Sequence, residues 1–242
     1  MPRFIYRATG VAVAGRITRP IDRQLEPRGV CVLPASGGTF SSRDGAFSLS
    51  DPASGEFLLS YDSAETSIQG YESAAGIHTT VIVSTVRNID VGHVLRADEV
   101  TANLTLNYDL QTHRVTIGTE GSRFVNLTIG GVVFDVPLDH ALGREAADYE
   151  TFRKNYPGRR ESGGRIHYAL GRHPRLKFDE SGNGYHHQPG FGRVYFGEWS
   201  AAPYTQSITM LRLRLGSPQE GDVGLGSGDG NGTPPPEGGN NH

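Results

Sequence analysis

The chain has 242 residues, with 33 Gly, 14 Pro and one Cys, and a formal charge of −3. That length holds one large all-β domain or two small ones, and the mild negative charge argues against the basic face that a grip on nucleic acid requires. No segment reaches the roughly 18 consecutive apolar residues of a membrane span, and a lone Cys31 excludes an intrachain disulfide.

Strand signals begin near the first residue. Met1-Pro2-Arg3, Arg7 and the short apolar piece Val11–Ala14 make no recognisable signal peptide, so the sequence assigns no compartment. Thr9 to Ile17 reads as a strand ending before Pro20, and Cys31, in the apolar run Val30–Leu33, reads as a small buried hydrophobe. Gly45 to Leu49 and Glu56 to Tyr61 read as short strands parted by Asp51-Pro52 and Gly55. Ser67 to Tyr71 precedes the longest β-branched run, Ile77 to Val86, and Val91 to Leu95, Glu99 to Leu106 and Arg114 to Ile117 follow. Within Glu99–Leu106, alternation puts Val100, Ala102, Leu104 and Leu106 on one face and Thr101, Asn103 and Thr105 on the other.

Arg123 to Leu138 is the clearest unit. Two alternating runs flank Gly130-Gly131, a pair suited to a two-residue primed turn because both positions can take positive φ. Folding there predicts an antiparallel hairpin with Val125, Leu127, Ile129, Val132, Phe134 and Val136 sharing one buried face. Arg144 to Tyr156 then reads as the one helix, with Ala146, Tyr149, Phe152 and Tyr156 at helical spacing and Pro157 as its stop. Pro157 to Gly190 turns polar and irregular. Gly192 to Phe196 and Ser207 to Leu215 return to strand, the latter with Thr209, Leu211, Leu213 and Leu215 on one face and Met210, Arg212 and Arg214 on the other. From Gly226 onward apolar anchors vanish, predicting a β-rich domain over 1–225 and a disordered Gly/Pro-rich tail over 226–242.

Many short strands, close turn signals and no strand–helix alternation point to an all-β fold. The expectation is an antiparallel β-sandwich or barrel with one helix and a disordered C-terminal tail.

Three segments carry a likeness: Val81 to Thr105 with its Ala97-Asp98-Glu99-Val100, Gly121 to Gly131 (Gly-Ser-Arg-Phe-Val-Asn-Leu-Thr-Ile-Gly-Gly), and Ile208 to Leu215 before Gly-rich sequence. In this order they resemble bacterial β-rich proteins of unassigned activity, the choice-of-anchor-type secreted or surface proteins, over about half the chain. The resemblance implies a β fold and display outside the cell, and it brings no catalytic residue with it.

Signals for chemistry are weak. Ser36-Gly37 and Ser162-Gly163 read as turns, no nucleophile elbow is present, and Gly224 to Gly228 lacks the Lys and helix of a phosphate loop. His167, His173, His186 and His187 join Asp179 and Glu180 in the irregular region, where imidazole and carboxylate suit zinc or manganese, yet no pair has helical ligand spacing. No carboxylate pair is singled out for glycoside hydrolysis. Binding signals are better. Tyr185, Phe191, Tyr195, Phe196, Trp199 and Tyr204 form a dense aromatic cluster, and Trp199, Tyr195, Tyr204 and Arg193 are the candidate ligand platform. The polar row Thr101, Asn103 and Thr105 can hydrogen-bond a sugar or another sheet.

The sequence therefore favours a non-catalytic binding or structural protein, bacterial in character and surface-displayed. Its expected partners are carbohydrate or protein, without cofactor, nucleic acid or membrane insertion. The alternatives are a carbohydrate-active or metal-dependent enzyme with its site in the His-rich loop 163–190, and a subunit that self-associates through edge strands.

Overall fold

The computed structural model describes residues 4–140, 160–162, 165–202 and 205–233. Within them the strands are β1 (Ile5–Arg19), β2 (Arg23–Arg28), β3 (Cys31–Leu33), β4 (Gly38–Asp44), β5 (Phe47–Ser50), β6 (Phe57–Tyr61), β7 (Ser63–Ala74), β8 (Ile77–Val91), β9 (Leu95–Asp109) and β10 (Arg114–Gly118). The second half adds β11 (Arg123–Val125), β12 (Thr128–Ile129), β13 (Val132–Val133), β14 (Arg160–Ser162), β15 (Arg165–Ala169), β16 (Lys177–Phe178), β17 (Gly184–Gln188), β18 (Gly192–Ala202), β19 (Thr205–Leu215) and β20 (Glu220–Thr233). No helix occurs among the described residues; the one expected over 144–156 lies outside them.

Two antiparallel sheets pack face to face, so the fold is a sandwich and not a closed barrel. Sheet A runs β14-β15-β18-β19-β20-β1-β2, with β16 and β17 continuing beside β18 and β3 beside β1. Sheet B runs β13-β12-β9-β8-β6-β5, with β10 and β11 beside β9, β7 beside β8, and β4 on the far side of β7. The core fills the space between, from Ile82, Leu104 and Leu106 on sheet B to Ile208, Met210 and Leu225 on sheet A.

Residues 226–233 correct the expectation of disorder from Gly226. They belong to β20, which is held along its length by β1 on one side and β19 on the other. Lack of apolar side chains misled the sequence reading, because glycine is here the packing residue. A Cβ at Gly228 would lie 3.0 Å from the Ile82 Cγ2, and one at Gly230 would lie 2.8 Å from the Leu106 Cδ1. Ala8, Gly10 and Ala12 present an equally low surface on β1, and a Cβ at Gly10 would collide with the Thr66 methyl. The sheets thus approach closely enough for Ser84 Oγ to donate to the Ser227 carbonyl at 2.9 Å while also meeting Thr66 Oγ1 at 2.9 Å.

Long strands in both sheets reverse their facing part-way, along a crease. On β19, Ile208 and Met210 point inward on one side of it, and Leu211, Leu213 and Leu215 on the other. Gly197 on β18 and Gly226 on β20 stand in the same row as Met210, with φ of 60° and 63°. Sheet B repeats the device at Asn88 (φ 52°) and Asp98, between the pairs Arg87–Glu99 and Ile89–Ala97. Gly and Asn are the residues that reach this left-handed region at least cost. The crease overturns the strict alternation expected over Thr209–Leu215: Met210 is core, and Thr209 faces outward to Ser227 Oγ.

The hairpin forms at Gly130 (φ 60°) and Gly131 (φ 77°), pairing Ile129 with Val132. Leu127, Ile129, Phe134 and Val136 are buried as expected. Val132 is 56% exposed and Val125 half-buried, because Asn126 (φ 51°) interrupts the first strand and the second ends after two residues. Cys31 is buried, and burial pushes its thiol up, away from reactivity.

Candidate functional site

Strands β7, β8 and β9 present an outer face almost free of large apolar groups. Their pairing stacks side chains into rows: Glu65–Thr85–Thr101, Ser67–Val83–Asn103 and Gln69–Val81–Thr105. The polar row read from Glu99–Leu106 is therefore real, with Val100, Ala102, Leu104 and Leu106 buried behind it. β4 widens the field with Arg43, Ser41 and Thr39 opposite Glu65, Ser67 and Gln69. Farther along, exposed Tyr71 flanks Thr79, whose hydroxyl donates to Asn107 Oδ1 at 2.7 Å.

Between Ser67, Asn103 and the 121–123 turn lies a hollow of about 300 Å³. Its wall is pinned by Ser122 Oγ, which accepts from the Asn103 amide at 2.8 Å and donates to the Asn103 carbonyl at 3.1 Å. Behind three of its lining residues, Thr101, Arg87 and Arg123, lies Glu99, only 9% exposed. Thr101 Oγ1 donates to Glu99 Oε1 at 2.9 Å and meets Thr85 Oγ1 at 3.1 Å, while Arg87 and Arg123 ion-pair with the same carboxylate. Burial acts to raise the Glu99 carboxyl, but the Thr101 hydrogen bond and the two guanidiniums outweigh it and hold the group below its ordinary value. A carboxylate so held is a fixed acceptor at neutral pH and not a proton donor.

A pH dependence follows. A depressed carboxyl contributes stability that is complete above its ordinary range and is lost as pH falls through the depressed value. Glu99→Gln should thus be less stable than the parent near neutrality, and the gap between their urea midpoints should close from about pH 6 to about pH 3. A gap independent of pH would remove the ion pairs from the account.

Two members of the predicted ligand platform, Trp199 and Tyr195, are not at the surface. Trp199 is 2% exposed and packs in the core with Phe191 and Phe196. Tyr195 points outward but is 1% exposed, covered by the Arg212 guanidinium 3.9 Å above its ring. Expecting either to be accessible was wrong, because the crease at Gly197 turns Trp199 inward and arginine roofs Tyr195. Tyr204 lies outside the described residues. Arg193 is exposed and stacks over Tyr185 at 4.9 Å. In the His-rich segment, His173 and His186 pack on Phe134, at 4.4 and 4.8 Å between ring centres. Among the described residues no three His, Cys, Asp or Glu side chains converge as a metal cluster would need.

Sequence reasoning missed Glu99, Arg87 and Arg123 as a unit. Its only signal was charge at the head of a polar-faced strand, and the partners come from other strands.

The model of a family described as a domain of unknown function, DUF8256, matches residues 4–176. That span takes in all of sheet B with its polar face, and β1 to β3, β14 and β15 of sheet A. No curated protein matches, and no solved structure matches. With more than two thirds of its length covered by that model, the chain belongs to the DUF8256 family.

Proposed function

We propose that this is a non-catalytic binding protein whose sheet B face takes a neutral, hydroxyl-rich ligand, a carbohydrate. One observation carries the reading: hydroxyl, amide and carboxylate groups stand in register across β4, β7, β8 and β9 around the hollow beside Asn103. Such a field offers donors and acceptors at strand spacing, and of the charged side chains that line the hollow, Glu65, Arg87 and Arg123, both arginines are already ion-paired with Glu99. Exposed Tyr71 at the far end adds an aromatic face for a sugar ring. The resemblance to choice-of-anchor-type proteins supports display on a bacterial surface, where such ligands are met.

The whole chain on a glycan array tests the reading. A hit should weaken about tenfold or more in the double variant Ser67→Ala, Asn103→Ala, the scale of one or two lost hydrogen bonds, with an unchanged circular dichroism spectrum. An array without neutral-glycan hits, or a hit indifferent to those substitutions, rejects the proposal.

A further inference from the structure

On the outer face of sheet A, two arginines stand side by side, one stacked on Tyr185 and the other opposite Asp222 on β20, with neither in an ion pair among the described residues. Arg193 on β18 and Arg214 on β19 are direct cross-strand partners, both exposed. Like charges placed opposite each other work against the pairing of their strands, and exposed His187 on β17 extends the row beyond Arg193. The adjacent Arg212 shows how the sheet uses an arginine for structure. It grips Glu198 with two bonds of 2.6 and 2.7 Å and reaches Asp222 at 3.4 Å. None of the ion pairs among the described residues uses Arg193 or Arg214.

These two guanidiniums border a hollow of about 490 Å³, a size that suits a small ligand. Tyr185 lines it beneath the Arg193 stack, and Phe178, 60% exposed, stands on its rim. Asp179 and Glu180 form the facing loop, where Asp179 Oδ1 accepts the amides of Ser181 and Asn183 at 2.9 and 3.0 Å and so sets the loop's shape. Glu180 is left exposed.

We propose that this hollow binds an acidic sugar, a hexuronate residue of a polysaccharide. Its carboxylate would lie between Arg193 and Arg214, whose planar forks suit that group. Its apolar ring face would rest on Tyr185 or Phe178, and a ring hydroxyl would donate to Glu180. Free phosphate or sulfate fits less well: it gives the aromatics no role, and its greater charge is repelled by Glu180. All of these residues lie beyond 176, outside the span matched by the family model, and on the sheet opposite the neutral-ligand face.

Calorimetry on the full chain tests this, with oligomers of galacturonate, glucuronate and mannuronate as probes, each also as its methyl ester. At least one acid form should bind, its ester about tenfold more weakly or worse, since esterification removes the charge-assisted bonds. Arg214→Thr should lose binding to the same degree while keeping the parent's far-ultraviolet spectrum and cooperative melt, because it trades a like-charge neighbour, Arg193, against an opposite-charge one, Asp222. The Ser67→Ala, Asn103→Ala variant should bind uronates normally, which separates this site from the one proposed on sheet B. No uronate binding, equal binding of acid and ester, retention of affinity in Arg214→Thr, or displacement by equimolar inorganic sulfate would each overturn the proposal.

Discussion

A chain ending at Leu225 should fail to fold. The cut removes Gly226 to Thr233, the half of β20 that joins β1 to β19 in the middle of sheet A. Both neighbours would then expose unpaired backbone groups inside a sheet, and Ile82 and Leu106 would lose the surface they pack on. The ordinary stability of a domain is about 5 to 15 kcal/mol, which such a loss exceeds. A flat thermal melt and a collapsed far-ultraviolet spectrum are expected, whereas a chain ending at Thr233 keeps every pairing described. A melting temperature within about 2 °C of the parent for the shorter chain would show that β20 contributes little.

Phe134→Ala should cost about 3 to 5 kcal/mol, the range for emptying an aromatic site in a core. The ring lies between the two sheets' contributions, stacked 5.4 Å from Phe196 and covered by His173 and His186. Removing it leaves both imidazoles and Phe196 facing a void. Val133, the residue before it and 73% exposed, is the internal control. Val133→Ala should shift stability by less than about 0.5 kcal/mol. Similar small effects at both positions in a denaturant titration would refute the burial assignment.

The β class, the hairpin turn and the facing of Glu99–Leu106 were legible because each depends on neighbours along the chain. Period two puts Thr101 and Asn103 together without knowledge of any partner strand. The Glu99 cluster was not legible, since Arg87 and Arg123 reach it only through pairings with two other strands. Trp199 and Met210 were misplaced for a different reason: the crease inverts the facing of everything after it, at left-handed Gly197 on β18 and at Met210 on β19, and composition gives no hint of where it falls. Order in β20 was missed because burial was equated with apolar side chains. Gly228 and Gly230 are buried by having none.

The crease also settles a question that β20 by itself leaves open. Every second residue from Gly224 to Gly232 is glycine, so a slip of two positions would still offer glycine to sheet B, and such strands tolerate misalignment. What a slip cannot keep is the change of parity. With Gly228 in the row of Gly197 and Met210, Ser227 would turn into the apolar space that Leu225 fills; with Gly224 there, Leu225 would turn out to solvent. Only Gly226 in that row sends Val223 and Leu225 inward on one side and Gly228 and Gly230 inward on the other. A repetitive strand thereby acquires a single alignment, chosen by where the change of facing puts its two apolar side chains, Val223 and Leu225.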